Sequence, residues 1–319
     1  FRYLGTFGNE MTNTQIVNQK MKAQLVSPIF WLDQYDPTED LFYPNNHEFR
    51  LKLTNLGLGM RPDLIDAHTL HFHGLRNVIP YFDGEPMSSI SVPIGSNLIY
   101  VYRAHEPGTY MYHCHVEDVE HVEMGMIGPV FVRPAQNGTA IGGFTKFAYN
   151  DGDGSTGYDR EFAMLLTDFW AEGHWSGSHV QAPEWSDFHP DFNLINGRAY
   201  PDTVAPSSPL VAYEHILVPE SDGNGNLVPT PGLEHLRNQP YSSLIEANAG
   251  ERVLLRFANL GFKPVSMTLA GMPMRVIGKD ATIMRGRNGH DTSYLTNTIL
   301  IVAGESLDVI FEAPAYSGV

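Results

Sequence analysis

The chain has a single cysteine, Cys114, which lies between two histidines in the sequence His113-Cys114-His115. It therefore has no partner for a disulfide bond within the chain. His121 and Met126 follow a few residues later. One cysteine thiolate and two imidazole nitrogens in a trigonal plane, with a weak axial methionine, are the ligands of a blue copper centre. The sequence predicts such a centre around Cys114, with its second histidine supplied by another strand.

Three upstream histidines, His68, His71 and His73, follow the spacing His-x-x-His-x-His. Successive side chains of a strand point to opposite faces, so His71 and His73 should share one face. The side chain of Cys114 should likewise face away from its two histidine neighbours. The pattern therefore predicts two kinds of metal centre on opposite faces of the same strands.

The two predicted centres have separate ligand sets. An electron-accepting copper would be bound by His68, Cys114, His121 and Met126. A second, polynuclear copper centre would be bound by His71, His73, His113 and His115. Electrons would then pass from the sulfur of Cys114 through its own backbone to either flanking histidine.

Residues 68–132 resemble the copper-bearing cupredoxin domain of the multicopper oxidases, a family that includes laccases, ferroxidases and bilirubin oxidases. The resemblance extends beyond the ligands to four short segments: Gly74-Leu75, Asp83-Gly84-Glu85-Pro86, Val92-Pro93-Ile94-Gly95 and Gly108 to His113. It implies an all-β fold of tandem cupredoxin-like Greek-key β-sandwiches or barrels, with copper as the cofactor.

The resemblance also implies roles for individual residues. The Cys114 site corresponds to the type 1 copper and His71 to a ligand of the type 2 copper. The type 3 pair would be bound by His73, His113 and His115. Asp83 matches a carboxylate that assists proton delivery to reduced oxygen. The loop between His115 and His121 has five intervening residues, where laccases usually have three, so we expect a longer ligand loop here.

An internal repeat organises the rest of the chain. Leu51 to Gly57 is echoed by Leu255 to Gly261, and both read as a strand that runs into a turn. The later strands 68–74 and 95–102 can be laid over 265–271 and 304–311. At the positions of the first three histidines the second copy has Val265, Thr268 and Ala270, so we expect a cupredoxin domain without copper. Its methionines Met267, Met272, Met274 and Met284 fit core filling better than a copper-handling cluster.

We expect two domains, 1–135 and 160–319, joined by a linker at 136–159 that is rich in small polar residues. The first would hold the type 1 copper and half of a trinuclear site. The second should lack its last strand, because the repeat ends soon after Phe311. The family's trinuclear cluster uses four His-x-His pairs and this chain supplies two. The others would come from a further C-terminal domain or from a second copy in a homo-oligomer.

Composition restricts the partners. The net charge of −16 argues against nucleic acids and anionic membrane surfaces, and it favours cationic substrates. No stretch is long and apolar enough to span a bilayer. No charged-then-apolar leader begins at Phe1, and the resemblance implies a periplasmic or extracellular location.

The expected function is that of a multicopper oxidase, which couples one-electron oxidation of a reducing substrate to four-electron reduction of O2 to water. The substrate would be a metal ion or a phenol-like molecule. Acidic residues near His121 favour a cation, although a solvated loop explains them equally well. Alternatives are a copper nitrite reductase-like enzyme, for which His71 and His115 would be surplus, and a blue-copper electron carrier. The remaining histidines, including His174, have the spacing of ordinary residues.

Overall fold

The computed structural model describes residues 48–57, 65–75, 78–104, 106–174, 184–213, 216–224 and 226–315. Within these ranges the chain forms sixteen strands and one α-helix, which confirms the all-β class. Five single-turn 3-10 helices complete the regular structure: Pro80–Phe82, Glu172–His174, Trp185–Asp187, Asp202–Val204 and Glu234–Leu236. None of the helices in the described ranges has the length and apolar character needed to cross a membrane.

The first half, residues 48–132, contains two small sheets. Its elements are β1 (Glu48–Thr54), β2 (His71–His73), β3 (Asn97–Arg103), β4 (Gly108–His113), α1 (Asp118–Glu123) and β5 (Ile127–Val132). Antiparallel β1 and β3 form one sheet. The other has the order β2-β4-β5, so that β4 is its central strand.

The second half, residues 160–315, is built on a seven-stranded sheet. Its strands are β6 (Arg160–Phe169), β7 (Phe192–Ile195), β8 (Leu210–Tyr213), β9 (Ile216–Pro219), β10 (Arg252–Asn259), β11 (Val265–Thr268), β12 (Met274–Lys279), β13 (Thr282–Ile283), β14 (Tyr294–Thr296), β15 (Thr298–Ile301) and β16 (Ser306–Glu312). The sheet has the order β13-β12-β16-β10-β6-β7, with β14 paired to β12. Two-stranded pairs β11-β15 and β8-β9 accompany it.

The sequence repeat corresponds to a repeated hydrogen-bonding arrangement. The side-chain amide of Asn55, just after β1, donates to the carbonyl of Val92 at 3.0 Å. At the end of β10, the amide of Asn259 donates to the carbonyl of Ile301 at 2.9 Å. Each amide oxygen accepts the N–H of the glycine two residues later. One asparagine thus fixes the same strand-to-turn geometry in both halves.

The largest apolar core lies in the second half. It is formed by strands β6, β10, β12, β15 and β16. Met274 is 1% exposed in this core, and Met267, Met272 and Met284 pack against it. The prediction that these methionines fill a core is confirmed.

The segment predicted as a linker, 136–159, packs against the second half. Ala148, Tyr149 and Tyr158 are buried in a cluster with Leu254 and Ile310. Burial of these aromatic side chains holds the segment against the sheet through the hydrophobic effect. It therefore behaves as a covering layer of the large sheet.

A buried charged group joins the two halves. The guanidinium of Arg256 on β10 is 1% exposed. It forms ion pairs with Glu161 at 3.0 Å and Asp308 at 3.5 Å. It also donates to the hydroxyl of Thr109 on β4 at 3.2 Å. Burial alone would raise the pKa of Glu161, but the positive charges of Arg133 and Arg256 outweigh burial and lower this pKa to about 2. These contacts fasten β4 to β10 and β16.

We expect Arg256→Met to lower the free energy of unfolding by about 3–5 kcal/mol, because it leaves the buried carboxylate of Asp308 without its cation. Urea unfolding monitored by circular dichroism measures the change. Arg160→Met is the matched control, because Arg160 forms its ion pair with Glu251 at the surface, where its side chain is 43% exposed. An equal loss of stability in both variants would contradict the role of burial.

Candidate metal centre

The connection between β4 and β5 brings three predicted ligands together. The last ladder pair of these strands is His113 with Ile127. The next residues continue the ladder, because the N–H of Cys114 donates to the carbonyl of Met126 at 3.0 Å. The N–H of Met126 in turn donates to the carbonyl of His121 at 2.9 Å. Cys114 and Met126 therefore lie side by side at the base of a loop that carries His121.

The loop between His115 and His121 accommodates its five residues by starting a helix. Glu117 adopts a left-handed conformation with φ 46° immediately before α1. Left-handed conformations are uncommon for non-glycine residues, and this one directs the chain into the helix. His121 then lies in α1, with its side chain inside the fold.

His68, Cys114 and His121 form the first group of close ligand atoms. The Sγ of Cys114 lies 3.2 Å from Nδ1 of His121 and 3.9 Å from Nδ1 of His68. A metal ion with bonds of about 2.3 Å to sulfur and about 2.0 Å to nitrogen separates such atoms by about 3.7 Å at a trigonal angle. The two observed distances lie on either side of that value, so one ion fits between the three atoms.

The same group is shielded from water. Cys114 is 0% exposed and His121 1%. Burial, followed by the proximity of His121, lowers the pKa of His68 to about 4. Burial also lowers the pKa of His121 to about 4, so both rings are neutral at pH 7, the form that binds metals. Burial raises the pKa of the Cys114 thiol, so metal binding must release its proton.

Met126 packs in the apolar cluster that contains Cys114 and is 5% exposed. Leu70, Phe72 and Tyr112 belong to the same cluster. We call His68, Cys114, His121 and Met126 together the thiolate group. Its surroundings combine a soft sulfur donor with a dry apolar wall, conditions that favour copper.

The other face of β2 and β4 carries the second set of histidines. In the ladder His71 lies opposite His113, and Phe72 lies opposite Tyr112. Strand alternation therefore places the His71 pair on one face and the Phe72 pair, with Cys114, on the other. The histidine cluster consists of His71, His73, His113 and His115. His71 has ring-centroid distances of 5.1 to 5.4 Å to the other three members.

Backbone carbonyls orient three rings of the histidine cluster. The Nδ1 atoms of His71, His73 and His113 contact the carbonyl oxygens of Asp83 at 2.6 Å, Gly304 at 3.0 Å and Cys114 at 2.6 Å. A carbonyl can only accept, so each Nδ1 carries the proton and each Nε2 keeps a lone pair. Acceptors on Nδ1 orient histidine rings in this way so that Nε2 can bind a metal.

Two of those Nε2 atoms face each other. His73 and His113 approach to 3.0 Å between their Nε2 atoms. His71, His113 and His115 offer ring nitrogens within 4.8 Å of one another. Burial, followed by the proximity of His73 and then His71, lowers the pKa of His113 to about 4. The cluster therefore presents convergent nitrogen donors, and the ring of His113 is neutral at pH 7.

Asp83 lies at the edge of the histidine cluster. Its carboxylate is 3.6 Å from Nδ1 of His71 and 36% exposed. It lines a cavity of about 390 Å³ together with His71, His73 and Asp280. Gly84 makes this position possible, because it has φ 80° and a Cβ would meet the carbonyl oxygen of Leu70 at 2.2 Å. The structure thus brings all the predicted site residues to two adjoining centres.

Sequence reasoning missed three contacts of these centres. Thr69 donates its N–H to the sulfur of Cys114 at 3.4 Å and accepts the N–H of His115 through its hydroxyl at 3.0 Å. Gly304 and Asp280 reach the site from the second half. The only sequence signal for Thr69 is its position next to His68. Gly304 and Asp280 lie too far along the chain for a spacing of ligands to indicate them.

The histidines outside the two centres divide into those that the structure describes and those that lie outside the described residues. Among the described ones, His235 pairs with Asp202 at the surface, and His174 contacts the buried carboxylate of Glu123. His189 and His290 are exposed. Four others lie outside the described residues: His47, His105, His179 and His215.

Residues 9–136 match the family model described as Multicopper oxidase. An L-ascorbate oxidase of Nicotiana tabacum is 28% identical over 137 residues, which are 40% of this chain and 20% of that protein. The chain thus aligns with about a fifth of the length of this curated relative.

Solved structures share the fold. The blue copper oxidase of Nitrosomonas europaea gives a TM-score of 0.57 with 20% identity, over 84% of this chain and 63% of that one. The copper nitrite reductase of the same organism gives 0.50 with 19% identity, over 85% and 71%. The fold is therefore that of tandem cupredoxin domains. Such a fold is common to oxidase and reductase, so only the sites can distinguish them.

The match across residues 9–136 covers the thiolate group and the histidine cluster. This part of the chain is thus similar to the multicopper oxidase family.

Proposed function

We propose that the intact protein is a multicopper oxidase that couples one-electron oxidation of a reducing substrate to reduction of O2. Four electrons and four protons convert each O2 to two molecules of water. The observation that carries the proposal is the adjacency of the thiolate group and the histidine cluster on opposite faces of β4. Copper, when bound, would supply the redox chemistry at both centres.

The assignment of ligands follows from the donor atoms. The thiolate group would hold a type 1 copper through the nitrogens of His68 and His121 and the sulfurs of Cys114 and Met126. His71 would bind the type 2 copper, and His73, His113 and His115 would bind the type 3 pair. The site of electron uptake and the site of oxygen reduction would thereby lie on opposite faces of one strand, β4.

The chain itself connects the two centres. Cys114 is covalently bonded to His113 and His115 through its own peptide groups. In addition, Nδ1 of His113 donates to the carbonyl of Cys114 at 2.6 Å. This hydrogen bond would give a short electron-transfer route from Cys114 to the imidazole of His113. The covalent route leads to both His113 and His115.

Asp83 would hold and deliver protons. Its carboxylate borders the cavity beside the histidine cluster and is partly open to water. The contact between the Asp83 carbonyl and His71 fixes the residue next to the ligand. A carboxylate in this place can take a proton from water and pass it towards the oxygen that is being reduced.

The reducing substrate is proposed to be a cation such as Cu(I), Fe(II) or Mn(II), with a phenol-like molecule as the other candidate. Carboxylates of Asp66, Glu117 and Glu120 lie within 4.8 Å of one another and of a ring nitrogen of His121. Oxygen ligands of this charge attract metal ions, and His121 would pass the electron to the type 1 copper.

The trinuclear centre would need four more histidines. We propose that another domain or a neighbouring copy of the chain supplies them, since the described residues contain two His-x-His pairs at this face. We also propose a periplasmic or extracellular location, in line with the sequence resemblance.

The copper content and spectra of the intact protein test the proposal. We expect four coppers per functional unit, an intense visible band from the type 1 copper, a type 2 signal in electron paramagnetic resonance and a near-ultraviolet type 3 band. Two coppers with nitrite reduction would instead indicate the reductase. One copper without oxygen consumption would indicate an electron carrier.

We expect Cys114→Ser to abolish the visible band and the turnover while preserving the fold, because it replaces one buried sulfur by oxygen. Visible absorption, oxygen consumption and circular dichroism measure these properties. Met124→Leu is the control, since Met124 is a buried residue of the same loop that is not a proposed ligand. A visible band that persists in Cys114→Ser would refute the ligand assignment.

We expect Gly304→Ala to disturb the histidine cluster without changing a ligand. Gly304 has φ 81°, and a Cβ there would lie 3.1 Å from Cε1 of His73. The ring must therefore move, and type 3 absorption and oxygen consumption should fall while the visible band remains. Gly250→Ala is the matched control, because Gly250 also has φ 81° with nothing within 4 Å of its Cβ position. Equal losses in both variants would show that backbone strain alone is responsible.

A further inference from the structure

Glu123 is a buried carboxylate at the end of α1, the helix that carries His121. Its side chain is 1% exposed. Its Oε1 accepts the N–H of Trp170 at 2.5 Å and contacts Nε2 of His174 at 3.1 Å. Both partners follow β6, so they belong to the second half of the chain. One carboxylate oxygen thus joins α1 to the second half of the chain.

The second half holds these partners firmly. The ring of His174 stacks on Phe169, with 4.2 Å between centroids and an interplanar angle of 17°. Phe169 is the last residue of β6. Trp170 is 3% exposed and packs edge-on against Trp185 at 5.4 Å. The two hydrogen-bond donors are therefore held by packed aromatic side chains at the end of β6, a strand of the large sheet.

Helix α1 depends on such contacts for its position. It has six residues, and helices of this length are unstable in isolation. A buried carboxylate that loses its hydrogen-bond partners is costly, so Glu123 has few positions that satisfy it. If Glu123 moves, the backbone of α1 should move with it. His121 lies two residues away on the same short helix.

The thiolate group is sensitive to that position. His121 places Nδ1 at 3.2 Å from the sulfur of Cys114, and its carbonyl accepts the N–H of Met126. A movement of α1 would therefore displace both His121 and Met126 relative to the sulfur of Cys114. The electronic properties of a type 1 copper depend on the axial ligand and on the surroundings of the cysteine sulfur.

We propose that His174 and Glu123 form a positioning pair, by which the copper-free half of the chain holds the helix of His121 and sets the geometry of the type 1 copper. The inference rests on the proposed function of the thiolate group. His174 and Glu123 are not among the residues whose ligand atoms converge at the two centres, so they would act through the position of α1.

The test compares variants of the intact, copper-loaded protein. Glu123→Asp keeps the charge but shortens the side chain by one methylene, so α1 must shift for its contacts to form. Glu123→Gln keeps the length and the acceptor oxygen. His174→Phe keeps an aromatic ring over Phe169 and removes the donor. His235→Phe is the matched control, because His235 contacts Asp202 at the same distance of 3.1 Å but at the surface.

The readouts are those that a merely structural contact would not move: the visible band, the hyperfine splitting of the type 1 copper and its reduction potential. We expect Glu123→Asp and His174→Phe to shift all three while copper content is kept. Glu123→Gln should stay closest to the wild type among the site variants, and His235→Phe should match the wild type.

Each other outcome is decisive. Wild-type spectra in Glu123→Asp and His174→Phe would overturn the positioning role, even if both variants unfold at lower temperature. A shift of the same size in His235→Phe would also overturn it. Should His174→Phe fail to fold, the comparison of Asp with Gln at position 123 decides the question. A wild-type protein with no visible band would instead refute the proposed function, so the two failures are distinguishable.

Discussion

The register of β4 is the constraint on which both centres depend. Because side chains alternate along a strand, a shift of one residue would exchange the faces of Cys114 and His113. Pairing with β2 sets His71 opposite His113, and pairing with β5 sets Ile127 opposite the same residue. The buried guanidinium of Arg256 adds a third restraint through Thr109, near the start of β4. Hydrogen bonds from two strands and one charged group thus determine which face each ligand occupies.

This constraint explains why the second half matters to a centre whose ligands lie in the first. The histidine face of β4 is covered by strands of the second half, and Met111 is buried there with Leu165 and Ala258. The carbonyl of Gly304 orients His73 from the same side. The second half therefore supplies one wall of the site, an acceptor for the imidazole of His73 and Asp280, which lines the cavity.

The sequence was informative where function depends on neighbours along the chain. The two histidine spacings predicted which side chains converge, because strand alternation is local, and the asparagine repeat predicted equivalent turns at Asn55 and Asn259. Contacts across the fold had no such signal. His73 and Gly304 are 231 positions apart, and His174 had the spacing of an ordinary residue although it contacts Glu123. The packed segment 136–159 was read as a linker because its composition is polar, whereas its few aromatic residues determine its burial.

The repeat separates the framework of the fold from the residues of the candidate metal centre. Asn55 and Asn259 form the same hydrogen bonds, and Val92 and Ile301 accept them at equivalent places. His68, which forms a single bridge to Val92 just before β2, corresponds to Val265 at the start of β11. Val265 packs against the apolar core. The asparagine turns and strand pairing therefore do not require metal ligands, since both halves build them. At the position of His68 the fold thus accommodates either an imidazole or the apolar side chain of Val265. The first half places its imidazoles on this framework, and the second half packs β10 and β16 against β4.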